Sequence, residues 1–277
     1  IKCLDSLNNI QSNNSLKEII YVDDGSNDDS VNFFKNSLLP YKKIVHKFNT
    51  NKGRVFAIQK GIELASSNWI LFLQSNIVVN KDIINEYTNV INIPETLAYM
   101  GKINYQTSDN RFEKYLNHGK RGLNNISNGS IIKFDNLLFG NCLIKKNLFE
   151  EFPLNLDLGG YGGEELDFTY KVNLKYPNTM RYCEQSVVTR IHHPEFKLHL
   201  ERLFEYGNKN LKKMESPLQL RILKSSFFLN PNFLKKFLVE INWFLFWGLY
   251  NLKITILDYY IIRVLMGIAI IRGYYSK

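Results

Sequence analysis

The sequence predicts an α/β fold, a sheet flanked by helices, with a helical extension at its C-terminal end. Three observations carry that expectation. In the first half, short apolar runs alternate with stretches of helical spacing, the pattern of crossover units. The first run, Lys17 to Asp24 (KEIIYVDD), ends in two acids followed by Gly25-Ser26, as a buried strand does where open α/β sheets bind ligands. After about His193 the strand pattern stops and the chain turns apolar and aromatic.

Taken in order, Asp28 to Leu38 reads as a helix and Lys43 to Phe48 as a second strand. From Gly53 to Ala65 the spacing of Val55, Ala57, Ile58, Gly61, Ile62 and Ala65 is helical, with small residues that allow close packing on a sheet. Trp69 to Leu73 (WILFL) reads as a third strand. Residues 104 to 135 lose periodicity and are rich in Asn, Ser, Lys and Arg, which predicts a long loop or an excursion over the active face. Leu138 to Lys145 and Tyr182 to Ile191 return as strands, separated by a Gly-rich acidic turn from Gly159 to Asp167. Phe196 to Met214 is basic and helix-compatible. A domain boundary is expected near 214, giving an α/β domain over 1–214 and a helical extension over 215–277.

Two stretches of that extension, Phe233 to Leu252 and Ile254 to Ile271, approach the length of a membrane span, about 20 residues. Lys235, Lys236, Glu240, Lys253, Asp258 and Arg263 interrupt them, whereas Trp243, Trp247, Tyr250, Tyr259 and Tyr260 suit an interfacial depth. Amphipathic helices lying on a membrane are the leading expectation; a soluble helical appendage and true spans are the alternatives.

Composition narrows the class. A chain of 277 residues, 45% apolar and 22% charged, has material for a large core, which excludes a disordered or collagen-like chain. The three cysteines, Cys3, Cys142 and Cys183, are far apart and form no CxxC pair, so a reducing compartment is expected rather than a disulfide framework or cysteine zinc site. The net charge of +9 favours acidic partners: nucleotide diphosphates, anionic lipid or nucleic acid. No helix-turn-helix, zinc-finger or aromatic RNA-binding signature accompanies it, so nucleic acid is not expected as a partner. Ile1 to Asn9 has no apolar signal-peptide core, and a cytoplasmic location, peripheral on the cytoplasmic membrane, is expected.

Several segments in order resemble the family 2 glycosyltransferases of the GT-A fold. They are Tyr21-Val-Asp-Asp-Gly-Ser-Asn-Asp-Asp-Ser30, then Asn51-Lys-Gly53 with Ala57, Gly61 and Ala65, then Trp69-Ile-Leu-Phe-Leu73, then Gly140-Asn141 with Lys145, Lys146 and Phe149, then Gly159-Gly-Tyr-Gly-Gly-Glu-Glu-Leu-Asp167, closed by His192-His193. The later half resembles bacterial members with a galactosyltransferase-like Gly-Gly-Glu-Asp region. The resemblance implies a mixed sheet and an inverting, nucleotide-sugar-dependent enzyme. It would move a hexose or N-acetylhexosamine, by expectation from a UDP-sugar, to a glycan or lipid-linked acceptor hydroxyl. In the polysaccharide biosynthesis that this implies, the product would belong to the cell envelope.

By that resemblance Asp23 and Asp24 lie beside the base and ribose, and Asn51, Lys52 and Arg54 open a helix suited to phosphate. Plain capping by Asp28 or Asn51 is the competing reading. Glu165 takes the family's catalytic Asp position as general base, and Glu164 that of the neighbouring acid that orients hydroxyls. Two solvated turn acids are the alternative. The family's divalent cation, Mn²⁺ or Mg²⁺, sits against an Asp-x-Asp, but this chain has Gln74-Ser75-Asn76, whose neutral amides ligate more weakly. His192 or His193 matches a late metal or phosphate histidine. Arg111, His118, Lys120 and Arg121 could instead neutralise the leaving diphosphate, against the alternative of a solvated basic loop. Replacement of both acids also leaves open a catalytically impaired relative that binds sugar nucleotide or glycan. Finally, the family opens with a strand absent here, so a gap in the sheet and a fragment of a longer enzyme are expected.

Overall fold

The computed structural model describes residues 2–11 and 13–276. Among them the strands are β1 (Glu18–Asp23), β2 (Lys42–Lys47), β3 (Trp69–Leu73), β4 (Ile77–Val79), β5 (Ala98–Tyr105), β6 (Asn141–Lys145) and β7 (Met180–Arg190). The α-helices are α1 (Lys2–Asn8), α2 (Ser30–Asn36), α3 (Arg54–Leu64), α4 (Ile83–Val90), α5 (Asn110–Leu116), α6 (Asn147–Glu151), α7 (Glu164–Lys175), α8 (Phe196–Lys209), α9 (Ser216–Leu223), α10 (Phe233–Asn251) and α11 (Asp258–Tyr275). The chain divides into two compact units, one of Ile1–Gln106, Gly122–Leu156 and Glu164–His192, the other of Thr107–Arg121, Asp157–Gly163 and His193–Lys277.

In the first unit the strands form two hydrogen-bonded sheets. One is the parallel pair β1–β2, in which Asp23 faces Lys47. The other runs β3-β6-β5-β7-β4, mixed because β5 and β7 are parallel while every other pair is antiparallel. Both carry α/β crossovers, and the apolar run WILFL forms an edge strand whose residues are all half-buried. Ile77, Ile83, Tyr87, Tyr99 and Val188 form one buried cluster, tying α4 to β4, β5 and β7.

Asn141 fixes the register of this sheet. Its side chain is fully buried, donates to the Lys102 and Ser186 carbonyls at 3.0 and 2.8 Å, and accepts from the Tyr87 hydroxyl at 2.9 Å. Gly101 must be glycine, because a Cβ there would sit 2.5 Å from the Ser186 oxygen and overlap the Asn141 amide. Phe168 of α7 stacks on Phe149 of α6 at 4.4 Å, and Phe139 lies 5.9 Å from Phe168. These rings set the position of α7, and with it the direction of its first turn.

In the second unit α8 and α11 cross closely enough that glycine is required on both. A Cβ on Gly207 would overlap the Ile270 carbonyl, and one on Gly273 the Phe204 carbonyl. Phe112, Phe196, His193 and His199 make an aromatic cluster.

Residues 104–135 do not form one long loop. Asp109 caps α5 by accepting from the Arg111 and Phe112 amides, and Phe112, Tyr115 and Leu116 supply a buried helical face. The acidic turn ends at Gly163, so Glu164 and Glu165 open a helix instead of standing on a turn. Among the described residues no helix is long and apolar enough to cross a membrane, which removes the spanning alternative for the two C-terminal stretches.

Candidate active site

The turn after β1 is built around Gly25. Its φ is +80°, and a Cβ would lie 2.6 Å from the Thr50 carbonyl carbon, so glycine lets this turn and the loop after β2 meet. Asp23, 2% exposed, accepts from the Ser26 amide at 2.8 Å and so braces the turn from inside. Asp24 reaches across: its two oxygens accept from the Lys52 and Gly53 amides at 2.8 and 2.9 Å.

Those amides open α3, the place expected to receive phosphate. In the structure they are held by the chain's own carboxylate, which satisfies donors that a helix start leaves free. Gly53, with φ of 102°, occupies the N-cap, so the plain capping by Asn51 does not occur. Asn51 and Lys52 are exposed beside it, with the Lys52 ammonium 4.7 Å from the Phe48 ring centre.

Arg54, the first residue of α3, turns toward the acids of α7. Its Nη1 is in ion-pair contact with Glu164 and 3.5 Å from Glu165 Oε2, and its Nη2 donates to the Phe139 carbonyl at 3.3 Å. The guanidinium expected at phosphate therefore bridges the two candidate catalytic residues, which stand 111 positions along the chain from it in the case of Glu165. Both acids lie in the first turn of α7, where the helix dipole favours negative charge.

Burial pushes the Glu164 carboxyl up to about 8, the neighbouring charge of Glu165 adds to the rise, and Arg54 opposes it. An ion pair at contact lowers an acid, so the two influences conflict. Exposure decides between them: the Glu164 side chain is 3% exposed and that of Arg54 34%, leaving the guanidinium partly screened by water while the carboxyl is desolvated. Burial thus favours the protonated form of Glu164, which relieves repulsion between the adjacent carboxylates.

The contacts continue to residue 74. A Cβ on Gly140, next to Phe139, would lie 3.6 Å from the Gln74 amide, so that side chain rests over Gly140. Asp24, Gly53, Arg54, Glu164, Glu165, Phe139, Gly140 and Gln74 are thus linked in one series of contacts within the first unit. Asn76 belongs to the same unit, its carbonyl accepting from the Ile191 amide at 2.9 Å and bringing the exposed His192 close by.

The remaining expected residues lie in the second unit. His193 is buried, its ring 5.3 Å from that of His199 and 5.7 Å from that of Phe112. Lys120 is exposed, and its carbonyl accepts from the Tyr259 hydroxyl at 3.0 Å; Arg121 donates to the Leu116 carbonyl at 3.2 Å. Arg111 does not serve as a diphosphate clamp. Its guanidinium is committed to both oxygens of Asp258 and to the Tyr250 carbonyl, and it stacks 3.8 Å from the Tyr250 ring centre.

The family model for glycosyl transferase family 2 matches residues 1–152, more than half of the chain. The chain belongs to that family. It is a glycosyltransferase, and solved structures share its GT-A fold. Residues 1–349 of TarS from S. aureus, in a complex with UDP, superpose with a TM-score of 0.59 at 14% identity, covering 99% of this chain and 84% of that one. The mannosyltransferase PcManGT from Pyrobaculum calidifontis, in complex with GDP-Man and Mn²⁺, gives a TM-score of 0.61 at 11% identity, covering 99% and 83%. TarS has also been crystallised with UDP-GlcNAc, and that structure covers 98% of this chain with a TM-score of 0.55 at 13% identity. No curated protein matches the sequence.

The donor set of this glycosyltransferase does not fit the divalent cation that its family implies. Gln74 and Asn76 offer neutral amide oxygens, weaker ligands for a hard cation than carboxylates. His192 stands near Asn76 while His193 is packed among rings. No cluster of three or more His, Cys, Asp or Glu suited to a metal occurs among the described residues.

Proposed function

We propose that this glycosyltransferase moves a hexose or N-acetylhexosamine from a nucleotide-sugar, a UDP-sugar in the first instance, to a hydroxyl of a glycan or lipid-linked acceptor with inversion. The carrying observation is the Arg54–Glu164–Glu165 cluster at the start of α7. Inverting transfer needs a base that takes the acceptor proton as its oxygen attacks the anomeric carbon, while the bond to the diphosphate breaks and the nucleoside diphosphate leaves with the electron pair. Glu165, the more accessible of the two acids, is assigned that proton. Glu164, kept in its acid form by burial, donates a hydrogen bond to a sugar hydroxyl, and Arg54 holds both in register. The UDP, UDP-GlcNAc and GDP-Man bound by the solved relatives support a nucleotide-sugar donor.

The donor's nucleotide is assigned to the turns braced by Asp23 and Asp24, where the side chains of Asn51 and Lys52 remain exposed, and its diphosphate to Gln74 and Asn76. The enzyme is assigned to the cytoplasmic face of a membrane, in assembly of cell-envelope polysaccharide. A second reading, a relative that binds sugar nucleotide without turnover, is favoured by Gln74 and Asn76 alone.

Transfer from a panel of UDP-, GDP- and dTDP-sugars, with Mn²⁺ or with EDTA, tests both. Glu165→Gln is expected to lower turnover by about 10²–10⁴-fold, the range of general-base catalysis, while donor affinity stays within a few-fold, and EDTA is expected to leave the wild-type rate unchanged. Donor binding with no turnover under any condition would establish the second reading and dismiss the first.

A further inference from the structure

Helix α10 is apolar on both of its faces. One face packs in the second unit, where Val239 is buried with Ile268 and Tyr275 of α11, and Trp243 and Phe246 lie against them. The opposite face carries Phe233, Leu234, Phe237, Ile241, Phe244 and Leu245, spaced for one side of a helix and all exposed, Phe233 by 86% and Phe244 by 70%. A continuous stripe of this kind over about three and a half turns is not a surface that water favours, and it marks a site of association.

We infer that this face of α10 is a docking surface for an anionic lipid bilayer. The charges around the stripe select that occupant. From Ile241 to Leu252 the helix carries no ionisable side chain except the half-buried Tyr250. The acids at the two ends of the region are each tied to an arginine: Glu240 accepts from Arg272 Nε at 2.8 Å, and Asp258 pairs with Arg111. What remains at the ends of the stripe is basic, Lys235 and Lys236 at one and Lys253 at the other. An apolar stripe flanked by lysines lies in the plane of an anionic interface, with its side chains in the acyl boundary and its ammonium groups among the headgroups. Docking is to the bilayer surface, as no helix among the described residues is long and apolar enough to cross a membrane. The inference gives a specific surface to the membrane location proposed above and is independent of the transfer chemistry.

The test is sedimentation of the full chain with vesicles of phosphatidylcholine alone or mixed with phosphatidylglycerol. Binding is expected to the anionic vesicles, to be stronger at roughly 0.05 M than at 0.5 M salt, and to fall about fivefold for each of Lys235→Ser and Lys236→Ser. The double variant Phe237→Asp/Phe244→Asp should lose binding by at least about tenfold. Both positions are exposed, so circular dichroism should match the wild type, and Leu38→Asp, at an exposed apolar residue of the first unit, should bind as the wild type does. Undiminished binding of the double variant, or no binding of the wild type to either vesicle, would overturn the inference. So would a wild-type dimer that light scattering shows to become a monomer in the double variant, since a second copy would then be the occupant. Transfer to a soluble acceptor by the double variant separates failure of this inference from failure of the transferase reading.

Discussion

Glu164→Gln isolates the proton that burial favours on this carboxyl. In the unfolded chain this carboxyl ionises near 4.5, and in the native state burial raises it to about 8. Between those values the folded protein keeps a proton that the unfolded chain has released. Stability from this group is therefore fully present below pH 4.5 and is lost as pH rises through 8. At about 1.4 kcal/mol per pH unit, the loss across the whole window has a ceiling of about 5 kcal/mol. With a urea slope of roughly 2–3 kcal/mol/M, that is a fall of about 2 M in the unfolding midpoint. Glutamine keeps the shape of the protonated acid and cannot ionise. The difference in midpoint between wild type and variant, followed at about pH 5, 6.5 and 8, should therefore change steadily in the variant's favour. An unchanging difference would mean that Glu164 is ionised in the folded protein at all three values, and the proton assignment would be refuted.

Two further perturbations test the supports of the site and of the fold. Arg54→Met keeps the stem of the side chain and removes the charge; with Glu164 already protonated and the arginine a third exposed, a loss of about 1–3 kcal/mol in urea stability is expected, together with a further upward shift of the pH window seen in wild type. A variant whose window stays in place would show that the guanidinium does not act on Glu164. Gly207→Ala should force α8 and α11 apart against the Ile270 carbonyl at a cost of about 1–3 kcal/mol, read as a lowered Tm; an unchanged Tm would mean that this crossing is looser than the contact geometry indicates.

Much of the fold was legible because several strands carry short apolar runs, such as Ile19–Val22 and Trp69–Leu73. Trp69–Leu73 forms over the residues expected, and β1, β2, β6 and β7 lie within a few residues of theirs. The elements that escaped notice have weaker local signals. Strand β5, the centre of the five-stranded sheet, has its run broken by Gly101, Lys102 and Asn104, β4 is three residues long, and α4, α5 and α7 expose polar residues between their buried ones. For α5 the signal was present: Asp109 before an i, i+3, i+4 set of Phe112, Tyr115 and Leu116 marks a capped amphipathic helix. The ordered motifs also sufficed to name the family, since turn chemistry such as Asp-Asp-Gly-Ser is local.

Partnership was not local, and there the sequence ran out. From sequence alone Arg54 and the amides after Asn51 are equally ready for a phosphate or for a carboxylate of the chain. Only the folded sheet brings Asp24 onto those amides and α7 onto that guanidinium. The same holds for Arg111, a basic loop residue in one dimension and the partner of Asp258 in three. Sequence determined which residue types stand at each strand end and that they suit nucleotide-sugar chemistry. Tertiary structure decided which charges meet and which side chains lose their water, because the strength of a charge contact depends on distance and burial, and neither is written in the order of residues.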